Sequence, residues 1–289
     1  MKTVLVTGGR GALAQGVARY LGETGTYRVV VGTRDGANGS LRLDVTNVSE
    51  VRTALETVAP DFVVHSAATF TNDFDDAYAT NVESSRQILE YIKAASLPAR
   101  VLLIGSAAEY GVVRAEDNPI NENRALYPVS TYGLTKAWQT QLAGVFQSQG
   151  VDVVVARVFN LRGVGLSTRL FVGRVTEQID EILQGRRTTV EVGSLSATRD
   201  YLMIDAAAKQ IAAILAFGES GQVYHVGSGV PITMRELLTQ TLAEHHLDSS
   251  FIREKAEHSN RPGYDVPVIY ADMTKTMRLV ELWKSDGKD

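Results

Sequence analysis

Six short runs, at residues 3–7, 28–32, 62–65, 101–106, 151–158 and 223–226, are nearly continuous in aliphatic and β-branched residues instead of alternating with polar ones. An unbroken run of that length suits a strand covered on both faces, and such strands belong to parallel sheets with helices above and below. Helical stretches fill the intervals at 13–22, 48–58, 81–95 and 132–147. Strand, helix, strand, helix predicts an α/β fold built on a doubly wound parallel sheet. With 44% hydrophobic residues in a chain of 289, there is apolar surface enough to fill both layers. The chain has no cysteine, so neither disulfides nor a thiolate metal site brace it, and no thiol takes part in its chemistry.

Past Asn160 the rhythm loosens into a Gly-rich turn, a helix over about 171–183, a strand near 188–192 and a mixed tail from Pro231. Residues 1–160 are therefore expected to form a dinucleotide-binding domain of Rossmann type, with 200–227 returning to it. Residues 161–199 and 228–289 are expected to form a smaller substrate-binding lobe. A net charge of −4 without any basic block argues against nucleic acid or an anionic membrane surface as partner. The residues before the first glycine pair are too few for a signal-peptide core, and no apolar run approaches the ~18 residues of a membrane span. A cytoplasmic location is the expectation. His65, His225, His245, His246 and His258 lack metal-ligand spacing, so no metal is expected.

Directly after the first run comes Thr7-Gly8-Gly9-Arg10-Gly11-Ala12-Leu13-Ala14, opening a helix. Glycines there let the backbone turn sharply and approach a pyrophosphate, which rests on the free amides of the helix N-terminus. Gly8, Gly9, Arg10, Gly11, Ala12 and Leu13 are accordingly cofactor-binding candidates, with Ala14 standing where the fingerprint usually has its third glycine. The second run ends Val31-Gly32-Thr33-Arg34, where an NAD site usually carries an acid for the ribose hydroxyls. A guanidinium welcomes a 2′-phosphate, so Thr33, Arg34 and Arg10 predict NADP(H). Asp35, next in line, is the ribose acid if the alignment is displaced, which keeps the NAD reading open. Asp44 and Val45 are placed to border the adenine, or Asp44 caps a helix.

Tyr132 and Lys136 lie four residues apart on one face of a helix. An ammonium near a phenol favours phenolate, which is expected to lower the Tyr132 pKa and make it an acid/base for a carbonyl or alcohol. Ser106 closes the run 101–106, and side chains at the carboxyl ends of strands in such a sheet face the ligand crevice. It is expected to hydrogen-bond the same substrate oxygen. Glu109 and Tyr110 follow it and are candidates to touch substrate. Asn81 begins a helix and is a candidate cap; Trp138 and Trp283 are read as packing residues.

These residues carry a resemblance to the short-chain dehydrogenase/reductase superfamily, in its extended branch acting on nucleotide sugars. Besides the glycine loop, the resemblance rests on His65-Ser66-Ala67-Ala68, Asn81-Val82, Gly105 through Gly111, Pro128 through Lys136, Arg157-Val158-Phe159-Asn160, Arg199-Asp200-Tyr201 and Arg261-Pro262-Gly263. It implies that Tyr132 is the catalytic acid/base, that Lys136 binds the nicotinamide ribose and tunes the tyrosine, and that Ser106 orients the reacting oxygen. It further implies that Ala67 and Ala68 line the dinucleotide, that Phe159 approaches the nicotinamide, and that Asn160, Arg199 and Arg261 hold a nucleotide diphosphate. A homodimer built from the helices at 81–95 and 132–147 is also implied.

Departures from the family pattern narrow the reaction. Sugar 4,6-dehydratases of this branch carry a carboxylate one or two places after the catalytic Ser/Thr, where this chain has Ala107 and Ala108; Glu109 comes one place later. The fucose-forming epimerase/reductases use a cysteine acid, and there is none. Two expectations remain: an NADPH-dependent reductase of a nucleotide-linked 4-keto-6-deoxyhexose, which the likeness of 157–175 to the deoxymannose-forming reductases favours, or a nucleotide-sugar 4-epimerase.

Overall fold

The computed structural model describes residues 1–255 and 266–287. The first half runs β1 (Lys2–Thr7), α1 (Ala12–Glu23), β2 (Tyr27–Thr33), β3 (Leu41–Arg42), α2 (Val48–Val58), β4 (Phe62–His65), α3 (Phe74–Tyr78), α4 (Ser84–Ala94), β5 (Arg100–Ser106) and α5 (Thr131–Ser148). The second half runs β6 (Val153–Val158), β7 (Asn160–Arg162), α6 (Phe171–Leu183), β8 (Val190–Val192), β9 (Thr198–Met203), α7 (Ile204–Phe217), β10 (Val223–Val226), β11 (Pro231–Thr233), α8 (Met234–Glu244), β12 (Ile252–Glu254), β13 (Val268–Ile269) and α9 (Thr274–Ser285).

Seven strands form one parallel sheet in the order β10-β6-β5-β4-β1-β2-β3. Its unbroken apolar strands are explained by the two layers they feed. Val4, Val6, Val64, Leu102, Ile104, Val154 and Ala156 point to one side, into a core shared with α1, α7 and α9. Leu5, Val63, Val101, Leu103, Val153 and Val155 point to the other, against α2, α4 and α5. Strand order reverses between β1 and β4, and in such sheets the crevice above that switch point is where ligands bind.

The lobe has its own small core, in which Val175 and Ile179 of α6 meet Leu238 and Leu242 of α8 across Val190 and Val192 of β8. A second sheet joins β11, β9, β13 and β7. Asp200 of β9 is fully buried and ties this sheet together, accepting from the Ser228 amide and hydroxyl (both 2.7 Å), the Gly229 amide (2.9 Å) and the Ala271 amide (3.2 Å).

Two expectations are corrected. The tail does not all belong to the lobe: α9 packs into the main core, where Trp283 is fully buried and donates to the Tyr20 hydroxyl at 2.9 Å. The amphipathic segment expected as one helix over 81–95 begins instead at Phe74, capped by Asp73, and passes through a π-helical turn at Ala79–Glu83 before α4. Asn81 lies inside that turn and caps nothing. Its side-chain amide donates to Thr69 O at 3.1 Å and Thr135 Oγ1 at 3.0 Å, fixing the segment after β4 to α5. Among the described residues no helix is long and apolar enough to cross a membrane.

Candidate active site

A cleft of about 1550 Å³ opens above the switch point and continues under the lobe. At its dinucleotide end the walls are backbone. Gly8 has φ +70, and a Cβ there would lie 2.7 Å from the Cα and N of Ala67, so only glycine lets the β1 end close on the β4 end. The Gly11 amide donates to Gly8 O at 2.9 Å, and α1 then starts at Ala12 without a capping side chain. Its first amides are left for an anion, the arrangement a pyrophosphate needs. Ala12, Leu13, Thr33, Leu43, Asp44, Val45, Ala67 and Ala68 complete this end. A cradle that a Cβ would fill, beside an uncapped helix, fits a dinucleotide.

The charges at this end differ from their sequence reading. Arg10 is ion-paired with Asp35, and Arg34 Nε lies 3.3 Å from Asp44. Both guanidinium groups already have a carboxylate, so they are not the two unopposed positive charges on which the NADP(H) expectation rested. Asp44 caps no helix; Asn47 caps α2, accepting from the Ser49 and Glu50 amides, while Asp44 accepts from Thr46 N and Oγ1 at 3.0 and 2.7 Å. Thr33 is buried, with its hydroxyl 2.6 Å from Ser40 Oγ.

In the middle of the cleft Ser106, at the end of β5, hydrogen-bonds the Tyr132 hydroxyl from the first turns of α5. Burial pushes the phenol up to about 12, against the lowering by Ser106. Phe70 lies over the ring at 4.3 Å between centroids. Lys136 does not play the expected part of lowering the phenol: its ammonium donates to Ile104 O and to Gln139 Oε1. Burial pulls this lysine down to about 8. Behind it Gln139 donates to Ser85 Oγ at 2.7 Å, so the lysine ends a buried polar chain.

Glu109 and Tyr110 do not face the cleft. Glu109 is fully buried; its carboxylate accepts from the Ser106 amide (2.7 Å), Thr140 Oγ1 (2.8 Å), and Arg157 Nε and Nη2 (3.1 and 2.8 Å). Tyr110, also fully buried, accepts from Arg157 Nη1 at 2.7 Å and meets His225 Nε2 at 2.5 Å. Every oxygen of that carboxylate is occupied, and the network shapes the site from beneath. Phe159 lines the cleft and packs edge-on against His225 at 5.1 Å. His65 bridges Thr7 Oγ1 (2.8 Å) and Ser84 Oγ (2.9 Å) as a neutral ring, held down at about 3 first by burial and then by Lys136.

The lobe end is walled by long side chains. Asn160 and Arg199 line it; Asn160 also donates to Asp200 O at 3.1 Å, and Arg199 to Thr198 O at 2.9 Å. Arg261, Pro262 and Gly263 lie outside the described residues, as does His258. The sequence reading missed Arg169, Arg174 and Arg187, which line the same end with Glu177, Glu181 and Glu191. A compositional signal was present: residues 137–208 hold seven arginines and no lysine, and arginine is the basic residue suited to bidentate phosphate recognition.

A doubly wound sheet with a glycine-cradled switch point, a Ser/Tyr pair at its strand ends and a buried lysine one helical turn on defines a dinucleotide-dependent oxidoreductase-type site. The model of the NAD dependent epimerase/dehydratase family matches residues 4–227, and the chain belongs to that family. A nicotinamide dinucleotide as cofactor follows at that level. The chain is 31% identical over 188 residues to a GDP-6-deoxy-D-mannose reductase of Pseudomonas aeruginosa, spanning 62% of this chain and 61% of that protein's length. It is 24% identical over 282 residues to a GDP-6-deoxy-D-talose 4-dehydrogenase of Aggregatibacter actinomycetemcomitans, spanning 96% and 90%. Among solved structures, RMD from Pseudomonas aeruginosa complexed with NADPH superposes with a TM-score of 0.83 at 23% identity, covering 97% of this chain and 91% of that one. The UDP-glucose 4-epimerase of Thermus thermophilus in complex with NAD gives 0.80 at 25% identity, covering 96% and 92%.

Proposed function

We propose that this chain reduces the 4-keto carbon of a nucleotide-linked 4-keto-6-deoxyhexose to the alcohol, with NADPH as the preferred reductant. The observation that carries the reading is the meeting of Tyr132 and Ser106 in the middle of the cleft that the glycine loop opens; a phenol is protonated at neutral pH, and burial holds this one higher still. That is the state a proton donor to a ketone needs. A reduced nicotinamide, when bound, supplies hydride to the carbon. Tyr132 gives its proton to the carbonyl oxygen while Ser106 holds that oxygen in line, and the resulting phenolate is reprotonated from solvent. Lys136 is positioned beneath to meet the ribose next to the nicotinamide. Asn160, Arg199 and Arg261, with Arg169 and Arg174, are assigned to the diphosphate.

Dehydration needs a further carboxylate beside the sugar, and the nearest one after Ser106, Glu109, is locked beneath the site by Arg157 and Thr140. This favours simple redox chemistry at one carbon, and the name of the Pseudomonas aeruginosa relative, a reductase, favours the reducing direction. The same reading takes the enzyme as a cytoplasmic homodimer built from the helices at 81–95 and 132–147.

The test is near-ultraviolet absorbance of NADPH, and separately NADH, mixed with the protein and a panel of nucleotide 4-keto-6-deoxysugars, GDP-linked first. Stoichiometric oxidation by one sugar is expected. No oxidation across the panel, with interconversion of 4-hydroxy sugars instead, establishes the 4-epimerase in its place.

A further inference from the structure

Proton and hydride transfer call on Ser106, Tyr132 and Lys136, and leave the fully buried Glu109 without a chemical part. Ser106 closes β5 and caps the short turn Ala107–Glu109, accepting from the Ala108 amide at 3.2 Å, while Glu109 Oε1 reaches back to the Ser106 amide at 2.7 Å. Such a reciprocal cap is ordinarily a local device at a helix start. Here its acid is bound by two further elements. Oε2 accepts from Thr140 Oγ1 of α5 at 2.8 Å and from Arg157 of β6 through Nε and Nη2 at 3.1 and 2.8 Å. Arg157 is the register partner of Gly105, and a Cβ on Gly105 would lie 2.8 Å from Glu109 Oε1. The missing side chain admits the carboxylate to the sheet end, directly behind the serine that faces the cleft.

A buried ion pair of this kind adds little to stability, because the cost of taking both charges out of water roughly offsets their attraction. What it does supply is geometry. One carboxylate ties the end of β5, which carries Ser106, to α5, which carries Tyr132, and both of them to β6. The first turn of α5 in turn lies against the capped turn, where a Cβ on Gly133 would come within 2.5 Å of Ala108 O. The hydrogen bond between Ser106 and the Tyr132 hydroxyl therefore spans two elements whose separation is set by Glu109 beneath it and by Gly133 beside it.

We infer that Glu109, held by Arg157 and Thr140, is a positioning residue for the reaction. It acts through Ser106, fixing that hydroxyl at the distance from Tyr132 at which both meet one substrate oxygen. Glu109 itself does not line the cleft. The inference rests on Ser106 and Tyr132 as the reacting pair of the proposed function, and on neither the identity of the sugar nor the choice of dinucleotide.

An amide at position 109 has one accepting end where a carboxylate has two, so Glu109→Gln must release either the Ser106 amide or the Arg157 and Thr140 donors. The experiment is a double-mutant cycle on wild type, Glu109→Gln, Ser106→Ala and the double variant. It is read as the single-turnover rate constant for oxidation of NADPH by the ketosugar, which does not depend on the fraction of protein that is folded. In the wild-type background Glu109→Gln is expected to slow the step about thirtyfold, the effect of a small misplacement at the reacting atoms. The dissociation constants of dinucleotide and sugar are expected to stay within about threefold. In the Ser106→Ala background Glu109→Gln is expected to cost less than about threefold, because the hydroxyl it positions is already gone. A merely structural role gives the same loss in both backgrounds. Should Glu109→Gln not fold, Arg157→Lys and Thr140→Val, which loosen the carboxylate and leave it charged, are read in the same cycle, with losses of about fivefold that again vanish beside Ser106→Ala. Equal losses in the two backgrounds, a loss confined to binding, or wild-type rates throughout overturn the inference and leave the proposed function standing. If wild type interconverts 4-hydroxy sugars instead, the cycle is read on that rate with the same expected and overturning results. Ser106→Ala with a wild-type rate constant, or a wild type that exchanges hydride with no nucleotide sugar, overturns the reading of the site and the inference together.

Discussion

At its dinucleotide end the cleft is walled by backbone, with Gly8 and Gly9 folded against Ala67 and β2 and the open amides of α1. At its lobe end it is walled by the tips of arginines and glutamates carried on α6, β8, β9 and the loops beside them. The first kind of wall recognises what every dinucleotide shares, because amides and close approach are insensitive to side-chain identity. The second kind is rewritten by single substitutions. A family with one fold can therefore keep its cofactor chemistry and exchange its substrates, and the two ends should answer differently to mutation.

The largest effect belongs to neither wall but to the group between them. Tyr132→Phe removes the proton donor and its bond to Ser106 while retaining the ring against Phe70. Turnover is expected to fall about 10³-fold, with NADPH affinity changed less than twofold. Stopped-flow oxidation of NADPH and a binding titration measure the two numbers; near-normal turnover in the variant removes Tyr132 from the mechanism.

How legible the molecule was follows the same division. Strand runs, the glycine loop and the Ser106, Tyr132 and Lys136 positions are contiguous patterns, readable because local backbone geometry demands particular residues. The Arg10–Asp35 and Arg34–Asp44 pairs were not readable, since which acid meets which base depends on how the glycine loop, the turn after β2 and the segment after β3 come together. Glu109 misled for a related reason. Three places after Ser106 it stands close to the crevice in sequence, yet Arg157 from β6 draws it beneath the sheet ends. Lys136 has the right spacing from Tyr132, but spacing does not reveal that Ile104 O and Gln139 take its protons. Arg169, Arg174 and Arg187 converge only through tertiary packing of the lobe.

A crossed pair of variants tests the division directly. Gly8→Ala places a methyl 2.7 Å from the Ala67 backbone at a left-handed position, and is expected to weaken both NADPH and NADH at least tenfold, with a cost of about 2 kcal/mol in stability. Arg199→Ala is expected to raise KM for the nucleotide sugar about tenfold, the loss of one charge-assisted contact, and to leave the dinucleotide constants alone. Circular-dichroism melts, binding titrations and initial rates on the two proteins suffice. If Arg199→Ala disturbs the dinucleotide as much as the sugar, the ends are not separable and the comparison fails.

The smallest effect is a pH profile, and it distinguishes Tyr132 from Lys136, the two titratable groups between the walls. Tyr132, held up at about 12, stays protonated through the accessible range and adds no limb. Lys136, pulled down first by burial to about 8, is charged below that pH and neutral above it. Turnover that relies on its ammonium should therefore be level up to about pH 8 and fall beyond, by a few-fold at pH 9. The linked stability runs the other way: between about 8 and the unfolded value of about 10.4 the unfolded chain binds a proton that the folded chain does not, so this group's contribution to stability improves as pH rises through that window. Lys136→Arg keeps the charge at every pH in the range, so its profile should lose the falling limb whatever its absolute rate. A limb that persists unchanged in that variant assigns the titration to some other group, and turnover then does not rely on the Lys136 ammonium.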